Sequence, residues 1–166
     1  MRAFAVVGAQ GSGKTRLVVR LVRHFRRAGL RVGTLKHAPH GFDVPGKDSH
    51  AHFTAGADVT VLASDAQTAV FRRGGATLRS LLAGLRAMDV VIVEGFRASG
   101  LPCVEVWRRA AAPRPRGGAI AIVTDDALEA HIPVFRTRET ARLARALLKW
   151  LKRTPHAATL RRLNGG

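Results

Sequence analysis

Apolar residues along this chain recur at two spacings, one of strands and one of helices. Phe4, Ala5, Val6 and Val7 form a short continuous apolar run, the pattern of a buried strand. Leu17, Leu21, Val22 and Phe25 then recur at helical spacing, which predicts a helix over 14–27 that stops at Gly29. Residues 30–35 predict a second strand, and 36–46 a loop punctuated by glycine and proline. A short helix is expected over 47–55, closed by Gly56. Residues 59–63 and 68–72 predict two strands joined by a polar turn at Asp65, an added β-hairpin. Leu78, Leu81, Leu82 and Leu85 mark a helix over 77–87. Residues 90–93 are apolar throughout, as in the middle of a parallel sheet. Residues 103–107 alternate, 119–123 are again apolar, and 134–135 begin a last short strand. Leu143, Leu147 and Leu151 line one face of a closing helix over 139–151.

Strands alternating with helices predict an α/β fold, a mostly parallel sheet of P-loop NTPase type with helices on both faces. Ligands in such folds gather beyond the carboxyl ends of the strands. The length fits one domain. We read 1–153 as a nucleotide-binding domain and 154–166 as a basic flexible tail.

Between the first strand and the first helix lies Gly8-Ala9-Gln10-Gly11-Ser12-Gly13-Lys14-Thr15, which fits the phosphate-loop pattern G-x-x-x-x-G-K-[ST] in its required strand and helix context. Gly8, Gly11 and Gly13 let backbone N–H groups fold into a nest around a phosphate, and the following helix points its positive end at the same anion. Lys14 can reach the β- and γ-phosphates, and the Thr15 hydroxyl can ligate Mg²⁺. Such a site needs a carboxylate near the metal, at the end of a neighbouring apolar strand. Glu94, closing the run 90–93, supplies it, whereas Asp89 sits at the opposite end of that strand. Lys14 and Glu94 are therefore the candidate catalytic pair, and Thr15 and Glu94 the candidate Mg²⁺ ligands.

Charge and composition narrow the partners. The formal net charge is +17, which asks for an anionic partner. Only five of the 28 basic residues are lysine, at 14, 36, 47, 149 and 152, and an arginine bias of this kind also arises from genome composition. No apolar run is long enough to span a bilayer. A single cysteine, Cys103, excludes an internal disulfide and suits a small buried hydrophobe in a reducing cytoplasm. With no tyrosine and two tryptophans, the chain lacks the stacking platforms of a single-strand nucleic-acid binder.

A second cluster of charge follows the second strand. Lys36 and His37 lead into His40-Gly41-Phe42-Asp43-Val44-Pro45-Gly46-Lys47-Asp48-Ser49, a loop suited to a charged ligand. Taken together, GAQGSGKT, the segment TLKH…FDVPGKDS…TAGA and VIVEGF resemble the molybdopterin-guanine dinucleotide biosynthesis protein B (MobB) family over roughly residues 3 to 97. Ile122-Val123-Thr124-Asp125 is similar to the family's last strand end, and 98–118 carries no distinctive match.

The resemblance implies a GTP-binding accessory protein of molybdenum cofactor biosynthesis with at most slow GTPase activity. Such a protein acts with the guanylyltransferase that joins GMP to molybdopterin, and it is a homodimer. By position it implies that Gly8 to Thr15 hold the phosphates, and that Lys36, His37, Asp43, Lys47 and Asp48 line the same cleft toward phosphate or pterin. Thr124 and Asp125 sit where related GTP-binding folds read the base; the N-K-x-D tetrapeptide of ordinary GTPases is absent, so guanine specificity, with Asp125 as the acceptor, is what the resemblance implies. The hairpin residues Val61, Ala69 and Phe71 are candidates to face the partner subunit. The alternative is a P-loop small-molecule kinase, with the arginine-rich stretch 108–116 as its mobile lid.

Overall fold

The computed structural model describes residues 1–38 and 45–153. The chain divides into two compact units, one built from Met1–His37 with the chain from Leu78 onward, the other from Ala38–Thr77.

The larger unit holds a six-stranded sheet in the order β2-β5-β1-β6-β7-β8, in which every neighbouring pair is parallel. The strands are β1 (Arg2–Gly8), β2 (Val32–Lys36), β5 (Val90–Glu94), β6 (Cys103–Val106), β7 (Ala121–Val123) and β8 (Val134–Phe135). The helices are α1 (Lys14–Arg27), α3 (Leu78–Gly84) and α4 (Thr140–Arg153), with a 3₁₀ turn at Thr137–Glu139. Because side chains alternate across a strand, β1 divides its residues between two cores. Phe4 and Val6 pack with Leu17, Leu21 and Phe25 of α1 and Leu143 and Leu147 of α4. Ala3 and Ala5 pack with Leu82 of α3 on the other face. The apolar run 90–93 is buried on both sides, as its composition requires of a central strand. Phe4 and Phe25 meet edge to face at 6.3 Å, and fully burying a side chain of that size stabilises by about 1.5–3 kcal/mol. The fold class expected from the pattern is the one observed.

Element boundaries moved where backbone chemistry overrode apolarity. Leu30 is not the start of β2. Gly29 takes φ 80°, Gly29 N donates to Arg26 O, and Leu30 N reaches back to Phe25 O at 3.1 Å. This is a Schellman closure of α1, in which the apolar residue after the glycine seals the helix end. Helix α3 ends at Gly84, and Leu85 and Met88 continue in tighter turns through N–H bonds to Leu82 O and Leu85 O.

The smaller unit holds α2 (Asp48–Thr54) and the antiparallel pair β3 (Val59–Ala63) and β4 (Thr68–Arg72), whose limits match the pattern-based expectation. Its turn is closed by Ser64, whose N–H donates to Gln67 O and whose hydroxyl accepts from Gln67 N. Arg73 stacks its guanidinium 4.6 Å over the Phe53 ring. The register corrects one expectation. Val61 lies opposite Val70, while Ala69 and Phe71 lie opposite Leu62 and Thr60 on the other face. Val61, Ala69 and Phe71 therefore do not form one surface. Val59, Val61 and Val70 share one exposed face, and Leu62 is exposed on the other.

Asp43 and the tail 154–166 lie outside the described residues. Among the described residues, no helix is long and apolar enough to cross a membrane.

Candidate functional site

The loop Gly8–Gly13 turns the chain from the carboxyl end of β1 into α1. Gly8, Gly11 and Gly13 all take positive φ, at 151°, 71° and 99°. At Gly8 the requirement is also spatial, since a Cβ there would lie 2.3 Å from Val106 O and 2.7 Å from Ser12 Oγ. The loop is thus pressed against β6, and only a residue without a side chain passes. Helix α1 carries no acidic residue in its first turn and no side-chain cap. The N–H groups at such a terminus have no partner within the helix, and its dipole favours an anion.

Side chains from distant parts of the chain converge here. Thr15 Oγ1 donates to Glu94 Oε1 at 2.7 Å. This bond depends on β5 lying beside β1, which pairs Val6 with Glu94. Lys14 Nζ folds onto the loop, donating to Ala9 O at 2.7 Å and to Gly8 O at 3.3 Å. Lys36 pairs in register with Glu94 and brings its ammonium 4.0 Å from Oε1. Burial lowers the Lys14 pKa below the ordinary lysine value; Glu94 opposes this, and Arg97 and Lys36 add to it. Glu94 itself is buried, 8% exposed. Asp89 is at the far end of β5, as expected, where it accepts from Arg31 N at 2.7 Å.

His37 is held by its backbone, its N–H donating to Glu94 O at 3.0 Å, and its ring packs 5.1 Å from that of Phe96. Lys47 and Asp48 belong to the smaller unit, where Lys47 precedes α2 in extended backbone and Asp48 opens the helix. Asp48 there is favourably placed in a first turn.

At the other side of the loop a cleft of ≈ 390 Å³ runs from Gly11 and Gly13 past Arg16 and Arg108 to Asp125 and Thr137. Its size is in the usual range for small-molecule sites, about 300–1,000 Å³. Asp125 stands just beyond β7. Both its carboxylate oxygens accept from Thr137, one from the hydroxyl at 2.6 Å and one from the N–H at 2.9 Å. These bonds hold its carboxyl below the usual carboxylate range. A carboxylate has about four acceptor sites, so two remain for a ligand. Thr124 is buried, and its hydroxyl accepts from Asp126 N at 3.0 Å within its own turn.

Two arginines meet the loop that the sequence did not place there. Arg97 donates to Gly8 O, and Arg108 Nε donates to Ser12 O at 3.0 Å. No local signal distinguishes either from the other arginines of a chain this basic. Arg108 opens the stretch considered as a kinase lid, but that stretch is tied down. Trp107 Nε1 donates to Ala112 O, Arg109 N to Asp126, and Arg116 N to the buried Glu105 carboxylate. Cys103 is half-buried beside the smaller core, and burial raises its thiol pKa, with Glu105 adding to the rise, which leaves it a packing residue rather than a nucleophile.

The molybdopterin guanine dinucleotide synthesis protein B (MobB) family matches residues 3–125. The chain belongs to that family. The matched span includes 98–118, where the sequence alone offered no distinctive resemblance. Over 156 residues the chain is 28% identical to the molybdopterin-guanine dinucleotide biosynthesis adapter protein of Escherichia coli (strain K12), spanning 86% of this chain and 89% of that protein. The crystal structure of Bacillus subtilis MobB matches with a TM-score of 0.75 at 26% identity, over 93% of this chain and 100% of the other. The MobB homolog from Bacillus stearothermophilus gives 0.70 at 27%, with the same coverage. Both chains share the α/β fold described above.

Proposed function

We propose that this chain is the GTP-binding accessory protein for conversion of molybdopterin to molybdopterin guanine dinucleotide. In this reading it presents nucleotide to a molybdenum cofactor guanylyltransferase and hydrolyses it slowly at most. The observation that carries the reading is the 2.7 Å bond between Thr15, in the first turn of α1, and Glu94, at the end of β5, beside a glycine loop already gripped by Lys14. Thr15 and Glu94 would hold Mg²⁺, which would neutralise phosphate charge; two protein ligands suit an ion that keeps most of its waters. Gly8, Ala9, Gln10, Gly11, Ser12 and Gly13 would wrap the phosphates with N–H groups, and Lys14 would leave its two carbonyls for phosphate oxygens. Asp125, oriented by Thr137, would accept from the guanine N1 and N2 hydrogens, with Thr124 holding its turn. Lys36 and His37 border the carboxylate end of the site, and Lys47, Asp48 and Asp43 are proposed as phosphate or pterin contacts. The +17 charge would attract phosphorylated molybdopterin in the cytoplasm. The name of the Escherichia coli relative, an adapter protein, supports this role over a kinase, as does the anchored stretch 108–116.

Competition binding in the presence of Mg²⁺ tests the base assignment. GTP should displace a fluorescent nucleotide at least about tenfold more readily than ATP, a difference of about 1.4 kcal/mol. Equal affinity, or an ATP preference, would remove Asp125 as the guanine reader and revive the kinase.

Turnover is expected to be slow. Hydrolysis needs an oriented water as well as charge stabilisation. No glutamine lies in 36–56, and Gln67 serves the hairpin turn. Single-turnover hydrolysis by the isolated protein should stay far below about 1 s⁻¹, the lower end for complete phosphoryl-transfer sites. A rate at or above that figure would make this an enzyme in its own right.

A further inference from the structure

The turn after β5 is bent more sharply than a strand end requires. Gly95 takes φ 89° and Phe96 φ 50°. Phe96 is the one non-glycine residue at positive φ among the described residues, a strained conformation for a bulky side chain. Its neighbours impose it. Gly95 N donates to Val6 O at 3.1 Å, and His37 N to Glu94 O at 3.0 Å. The Phe96 ring packs on His37 and against the core containing Val91 and Val93. A Cβ at Gly95 would lie 3.1 Å from the His37 Cβ, a tight approach that, with the φ of 89°, favours glycine there. Strain held in place by several contacts at a ligand site points to a use.

Its effect is to throw Arg97 back over the phosphate loop. The Arg97 guanidinium donates to Gly8 O, the same oxygen that accepts from Lys14 Nζ at 3.3 Å. Two cations on one neutral carbonyl are poorly satisfied, and like-charge repulsion from Arg97 and Lys36 contributes to the lowered Lys14 pKa. Among the described residues, Lys14, Lys36 and Arg97 meet here against one carboxylate, Glu94. The lysine of such a loop serves the β- and γ-phosphates. Arg97 shares its acceptor, so Arg97 stands at that end of the nucleotide. Arg108, on Ser12 O, stands at the other end, along the cleft that leads to Asp125.

We propose that Arg97 reads the terminal phosphate: on binding, its guanidinium exchanges Gly8 O for γ-phosphate oxygens and so separates nucleoside triphosphate from diphosphate. The inference rests on the nucleotide-binding reading above. A guanidinium suits this task because its planar fork matches phosphate oxygens two at a time, and it never loses its charge. A diphosphate offers it no terminal group at that position. Arg97 is thus a specificity-determining residue that acts by direct contact.

Calorimetric titration of the intact chain with Mg²⁺ and either GDP or a non-hydrolysable GTP analogue tests this, in wild type, Arg97→Ala and Arg97→Lys. The triphosphate affinity of Arg97→Ala should fall about tenfold or more, the loss of a charge-assisted contact, with GDP affinity within about twofold of wild type. Arg97→Lys, keeping charge without the fork, should recover part of the loss. Equal losses for both nucleotides would show Arg97 to be a prop for the loop and overturn the assignment, as would no loss for either. Wild type that binds neither nucleotide would take down the nucleotide reading itself, and this inference with it. Unchanged circular dichroism and melting temperature establish that Arg97→Ala is folded; Arg97 is an exposed residue.

Discussion

Lys14→Ala should abolish measurable triphosphate binding while the fold survives. The ammonium has two phosphate groups to serve, and each charge-assisted hydrogen bond is worth about 1.5–3 kcal/mol. Losing both lowers affinity by about 100-fold or more, at 1.4 kcal/mol per tenfold. The same change costs the ligand-free chain little. Lys14 is held partly desolvated, which its lowered pKa reports, and it is repelled by Arg97 and Lys36. Its bonds to Gly8 O and Ala9 O are modest compensation. Titration with GTP and Mg²⁺ should give no saturable heat, and the melting temperature should move by a few degrees at most. GTP affinity near that of wild type would refute the assignment of this loop as the phosphate site. Loss of binding with collapse of the fold would instead make Lys14 a structural residue.

The second large effect is on assembly. Val61→Lys combined with Val70→Glu should convert the proposed homodimer to a monomer. Val61 and Val70 are directly opposite across the hairpin and are 58% and 49% exposed in the single chain. A two-stranded hairpin is marginal by itself, and its unpaired edges invite a partner. Opposite charges at a directly opposed pair preserve the hairpin. Buried in an interface they would carry a desolvation penalty of several kcal/mol per ion. Light scattering at micromolar concentration should give twice the chain mass for wild type and the chain mass for the double variant. A variant that remains dimeric would move the interface elsewhere. A monomeric wild type would end the dimer reading.

Much of this protein was legible along the chain, because much of it is local. The run 4–7, the glycines at 8, 11 and 13 and the helical spacing of Leu17, Leu21 and Phe25 depend on neighbours within a few residues. They specify strand, loop and helix without reference to anything distant. The limits of β3 and β4 likewise follow from alternation and a polar turn. Leu30 departs from its apolar pattern for the complementary reason. Its apolarity serves a helix closure as well as it would a strand, and the backbone bond to Phe25 O decides between them.

What the tertiary structure decided is who meets whom. Sequence placed Glu94 at a strand end. The sheet order, with β5 between β2 and β1, is what brings it to Thr15 and Lys36. The same order carries Arg97 and Arg108 to opposite ends of the phosphate loop, and β7 beside β8 gives Asp125 its partner Thr137. Periodicity determines which face of an element is apolar, but not which element covers that face. Strand neighbours are chosen by the joint packing of α1, α3 and α4 over two cores, and that packing is a property of the whole chain. A charged residue just past a strand end therefore has no visible partner in the sequence, since its partner is set by a pairing made dozens of residues away.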